Sequence, residues 1–67
     1  MNDMEQFYRI VLELYKQALQ GSLRAEAVEA TQVLLAKEIT KAHVMGESDI
    51  ELQQLSTDVR NLKFQVL

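Results

Sequence analysis

The sequence predicts an all-α fold: two or three helices in an antiparallel hairpin or bundle that assembles with itself or with a partner. Three observations carry that prediction. Met4, Phe7, Val11, Leu14 and Ala18 step by three and four, as do Leu52, Leu55, Val59, Leu62 and Val66, which keeps each set on one helix face. Proline is absent, and the two glycines, Gly21 and Gly46, fall between the apolar stripes. The chain has 67 residues, enough for one domain spanning 1–67.

The first helix is expected from about Asp3 to Gln20. Asn2 can act as its N-cap, with Glu5 closing a capping box. Asp3 and Glu5 suit the positive end of the helix dipole. Glu13 and Lys16 are placed to pair on the outer face. Tyr8, Leu12, Tyr15 and Leu19 flank the main stripe and widen it, while Ile10 lies away from both.

Gly21 can adopt the left-handed conformation that ends a helix, and Ser22 can cap the next one. The second helix then runs from about Leu23 to Met45. Its stripe drifts, from Leu23, Ala27, Ala30 and Leu34 to Leu35, Ile39 and Ala42, as a straight helix drifts against a strict heptad. Gly46 marks the second break. Ser48-Asp49-Ile50-Glu51 reads as a capping box with an acidic first turn, opening a third helix over about 49–64. The short connection makes the second and third helices antiparallel neighbours. Phe64, Val66 and Leu67 keep the carboxyl end apolar, so a cover for it is expected.

Hydrophobic residues make up 48% of the chain, too many for intrinsic disorder. A chain this short buries only about 60% of the surface that its unfolded form exposes. Small domains therefore often rely on a disulfide, a metal or a second subunit. With no cysteine and one histidine, association is the staple left, so a homo-oligomer or an obligate complex is expected, with an unassisted three-helix monomer as the alternative. The net charge is −3 without a basic stripe, which removes the electrostatic footprint of nucleic-acid binding. A DNA-reading helix beginning Asp49-Ile50-Glu51 would repel phosphate. No apolar run reaches the length of a membrane span, and no secretory leader is evident. These features, with the missing cysteines, fit a cytoplasmic location.

No residue pattern specifies catalysis, a cofactor or a metal. His43 has no second histidine and reads as a solvated residue near a helix end. Glu26, Glu29 and Thr31 read as a solvated face rather than an acid–base site. Ser22 and Ser48 are assigned to caps, and Ser56 lacks His and Asp partners. Tyr8 and Tyr15 share one flank of the first helix, where they can either anchor a partner or seal the core. The expected partner-binding residues are Phe7, Val11, Leu14, Tyr15, Leu52, Leu55, Val59 and Leu62. Covering a partner's apolar helix and keeping it soluble is the mechanism they suggest, in a non-enzymatic interaction module.

Two resemblances add expectations. The run Val44-Met45-Gly46-Glu47-Ser48-Asp49-Ile50-Glu51-Leu52-Gln53, followed by the Leu55/Val59/Leu62 stripe, resembles the hairpin of the small needle-protein chaperones of bacterial type III secretion. The likeness covers roughly the last half of the chain, and the separate first helix departs from it. It implies a cytoplasmic co-chaperone that binds a larger helical-repeat chaperone and holds the needle subunit unpolymerised. The run Ser56-Thr57-Asp58-Val59-Arg60 is similar to the Ser-Gln-Glu-Leu-Asp signature of small sporulation phosphatases that act on response regulators. Ser56 and Val59 match, but Arg60 stands where that family has its functional acid. A structural homo-oligomer is the remaining alternative.

Overall fold

The computed structural model describes residues 3–66. It contains three helices and a terminal turn: α1 (Asp3–Leu19), α2 (Ala25–Met45), α3 (Ile50–Leu62) and a 3₁₀ turn, η1 (Lys63–Gln65). No strand occurs among the described residues. The all-α bundle expected from the stripes is therefore what the chain forms. The hairpin of α2 and α3 is the most extensive pairing, and α1 lies mainly against α3 while also touching α2. The radius of gyration is 12.1 Å, against about 11 Å for a compact domain of this length. The elongation follows α2, whose 21 residues span about 32 Å at 1.5 Å per residue.

Both glycines end helices as expected, and for the same reason. Gly21 and Gly46 have φ of 70° and 69°, the left-handed region that a Cβ disfavours. At the first, Ser22 N–H donates to Gln17 O (2.9 Å) and Gly21 N–H to Ala18 O (3.1 Å). At the second, Glu47 N–H donates to Ala42 O (2.8 Å) and Gly46 N–H to His43 O (3.2 Å). These paired reaches, over five residues and over three, make a Schellman motif at each end and satisfy carbonyls that the helix leaves open.

Helix α1 begins at Asp3 and α3 directly after Asp49, as expected, whereas the start of α2 and the capping side chains differ from expectation. Ser22 does not cap α2: its Oγ donates back to Gln17 O at 3.3 Å and helps close α1. Helix α2 begins two residues later than Leu23, with extended Arg24 as N-cap and no side-chain cap. Leu23 is the physical reason. It is fully buried, and the non-helical segment Ser22–Arg24 carries its side chain inward before the helix begins. The capping box at Ser48 is likewise absent. Asp49 is the N-cap of α3 without a side-chain cap bond, because its carboxylate is taken by Gln53 (3.2 Å) and His43 (2.5 Å). Glu5 pairs with Arg9 at 3.1 Å, and among the described residues no Glu13–Lys16 ion pair forms. Asn2, expected as the first N-cap, lies outside the described residues.

One core joins all three helices: Phe7, Val11 and Leu14 from α1, Val28, Leu35 and Ala42 from α2, and Leu52, Leu55, Val59 and Leu62 from α3, with Leu23 from the connection. On α2 the buried line is Val28, Thr31, Leu35 and Ala42; Ala30, expected inside, is exposed. Thr31 is tolerated there because its hydroxyl donates to Ala27 O at 2.8 Å. Ile10 is half-buried against the core rather than set apart from it. At the carboxyl end α3 stops at Leu62 rather than near Phe64. Phe64 is exposed, Val66 folds back onto the core, and Leu67 lies outside the described residues.

Candidate interaction surface

Helix α1 has a second apolar face beside the buried one. Tyr8, Leu12, Tyr15 and Leu19 are spaced by four, three and four, so they form one line along the helix. At about 100° per residue, that line sits roughly 100° from the direction of Phe7, Val11 and Leu14, which Tyr8, Leu12 and Tyr15 each follow by one residue. It therefore runs along the edge of the bundle and stays in water: Leu12 is 55% exposed and Leu19 88%, with both tyrosines partly exposed. The sequence suggests that the four residues widen the core, but among the described residues nothing covers them fully.

The strip overlooks a shallow groove between α1 and α3, lined by Tyr8, Val11, Leu12, Tyr15, Leu55 and Asp58. Buried Val11 and Leu55 supply its floor. At about 220 Å³ it is smaller than the ~300–1,000 Å³ of small-molecule sites. The Tyr8 hydroxyl donates to Glu51 Oε2 of α3 at 2.8 Å and ties the two helices across one end. That hydrogen bond is the main cause holding the Tyr8 phenol above its ordinary pKa, with desolvation and the Glu51 charge adding in the same direction. Acidic Glu51 and Asp58 stand on the α3 bank. On the far side of the strip, α1 presents Glu5 paired with Arg9, and Lys16.

Of the eight residues expected to bind a partner, the structure turns seven inward: Phe7, Val11, Leu14, Leu52, Leu55, Val59 and Leu62 are core. The two stripes read as docking seams face one another inside a single chain, and that mutual burial is why they are not available outside. Tyr15 alone keeps an exposed place. Leu12 and Leu19, absent from that set, are the residues most open on the strip; their four-and-three spacing from the tyrosines was the signal.

The other candidates stay apart from this surface. His43 Nε2 meets Asp49 Oδ2 across the α2–α3 turn. The Asp49 carboxyl is held below its ordinary pKa, first by the Gln53 hydrogen bond and then by the one from His43. No group of three potential metal ligands occurs among the described residues. Glu26 and Glu29 are exposed. Ser56 and Asp58, two residues apart on α3, point to different sides of the helix, and Asp58 accepts from Gln54 at 3.3 Å. A separate depression near the Tyr8–Glu51 end of the groove includes Phe7, Ala42, Met45 and Leu52 with Glu38, Lys41 and Glu47 on its rim; Lys41 and Glu47 are exposed to water. No described helix is long and apolar enough to cross a membrane.

No protein-family model, curated protein or solved structure matches this chain.

Proposed function

We propose that the chain is a non-enzymatic helical interaction module that covers an apolar helix of a partner protein and keeps it soluble. One observation carries this reading: four large apolar residues of α1, Tyr8, Leu12, Tyr15 and Leu19, stay outside a core that is already closed. Exposed apolar side chains in a continuous line mark interaction sites. Tyrosines at such a place offer broad contact area with a polar tip and few torsions to freeze.

The complementary partner is an amphipathic helix lying along α1, with apolar residues at i, i+3 or i+4, and i+7. Glu51 and Asp58 favour a lysine or arginine on its α3 side. The docked helix adds to a bundle that is complete without it, so the module folds first and masks second. A helical subunit held unpolymerised, as the hairpin's resemblance to needle-protein chaperones implies, is one partner of this chemistry, and the cytoplasm is the compartment that goes with it.

A photo-crosslinking amino acid placed at Leu12 or Tyr15 tests the surface in the native host. The expected outcome is a discrete protein adduct at both positions, none from the exposed Asn61 of α3, and loss of the Tyr15 adduct in a Leu12→Glu background. Equal adducts at Asn61, or no adduct at either strip position, would overturn the assignment.

A further inference from the structure

Helix α2 carries another uncovered face, opposite its buried line. Val33 is 55% exposed at its centre, and Val33, Ala36, Lys37 and Thr40 line a shallow depression there. Charge is distributed unevenly along this face. Glu26 and Glu29 precede Val33, whereas Lys37 and Lys41 follow it, and all four are exposed. Among the described residues none of the four makes an ion pair within the chain.

The spacing about Val33 is self-complementary. Glu29 lies four residues before it and Lys37 four after; Ala30 lies three before and Ala36 three after. Two copies of α2 laid antiparallel on a two-fold axis through Val33 therefore bring Glu29 level with Lys37 of the second copy, and Val33 onto itself. Glu26, seven residues before Val33, comes beside Lys37 and Lys41 of the second copy. Ala30 and Ala36 occupy the positions between, where small side chains allow the helices to approach closely. A parallel arrangement in register would instead stack acid on acid and lysine on lysine. We propose that a second copy of this chain occupies the face, as an antiparallel two-fold pair of α2 helices centred on Val33. Opposite charges fix its register and direction. Because the contact is one helix wide, the pair forms and separates with concentration.

The experiment uses two charge variants of the whole protein. One carries Glu26→Lys and Glu29→Lys, the other Lys37→Glu and Lys41→Glu. Each alone sets like charges across the axis, and the two mixed restore every opposite pair. Sedimentation is followed over a concentration series at low and high salt, with helicity checked by circular dichroism. The expected result is a wild-type dimer weakened by salt. Each variant alone associates more than about tenfold more weakly, and the mixture regains a dimer of one copy of each. Val33→Glu abolishes association, and Leu12→Glu on α1 leaves it unchanged. A wild-type monomer at every concentration, a mixture no tighter than its components, or association removed by Leu12→Glu would overturn the pairing.

Discussion

Leu35→Ala and Leu12→Ala delete the same three carbons from places that the fold treats differently. Leu35 is fully buried in the middle of α2, within the core shared with α1 and α3. Removing three buried carbons forfeits about 2.4 kcal/mol of transfer free energy, and the cavity left behind brings the loss to about 2–5 kcal/mol. A 67-residue chain has total stability of about 3–10 kcal/mol at the usual per-residue value. Leu35→Ala thus removes a large fraction of what holds the bundle together. Leu12 is 55% exposed, and its truncation should stay within about 0.5 kcal/mol. Urea denaturation followed by circular dichroism reads both: a sharply lower midpoint for Leu35→Ala, and a nearly unchanged one for Leu12→Ala with undiminished helicity. Equal losses for the two variants, or a loss below about 1 kcal/mol for Leu35→Ala, would refute the division between core and strip.

Gly46→Ala should destabilise by about 1–2 kcal/mol, because the residue must hold φ near +69°; apart from the adjoining chain, no heavy atom lies within 4 Å of the added Cβ, so the loss is conformational, and Gly46→Asn should cost less in the same urea titration. The Tyr8 phenol, raised above its ordinary 10.0, contributes stability below that pH and loses it as pH rises through its folded value; ultraviolet titration in a Tyr15→Phe background should show the raised value, and Glu51→Gln should lower it. The Asp49 carboxyl is shifted the other way from 3.8, so its contribution is present above that pH and disappears as pH falls through the lower folded value; Asp49→Asn should remove this part of the acid dependence of the urea midpoint.

The helices and their breaks could be read in the sequence because strong local signals determine them. The three-and-four step in Phe7, Val11 and Leu14, and in Leu52, Leu55, Val59 and Leu62, needs only a helix and water to choose a face. Gly21 and Gly46 supply a conformation that few other residues accept. The starts were less legible. Ser22 and Ser48 have capping chemistry, but burial of Leu23 and the claims of His43 and Gln53 on Asp49 depend on tertiary contacts that local pattern does not record. On α2, Thr31 interrupts the apolar pattern and hides the line from Val28 to Leu35, because its satisfied hydroxyl is visible only in the fold.

The surface was harder to recognise than the core. Two adjoining apolar faces of α1 look alike in sequence, and which one turns inward depends on where α3 lies. Phe7, Val11 and Leu14 were the stronger stripe and for that reason were taken by the chain's own core. Tyr8, Leu12, Tyr15 and Leu19 were left at the edge. The apolar residues left exposed lie off the main stripes, along the second face of α1 and at Val33, Val44, Met45, Ile50 and Phe64.

Isotope-filtered nuclear Overhauser spectroscopy on a mixture of labelled and unlabelled protein tests the central claim, that one chain closes this core by itself. Contacts of Phe7 with Leu52 and of Val11 with Leu55 should appear only within a single molecule, while the Leu19 methyl groups, 88% exposed, show no long-range contact to the core. Intermolecular contacts between α1 and α3 core residues, at concentrations where the protein is folded, would mean that the helices are exchanged between copies and would contradict the account.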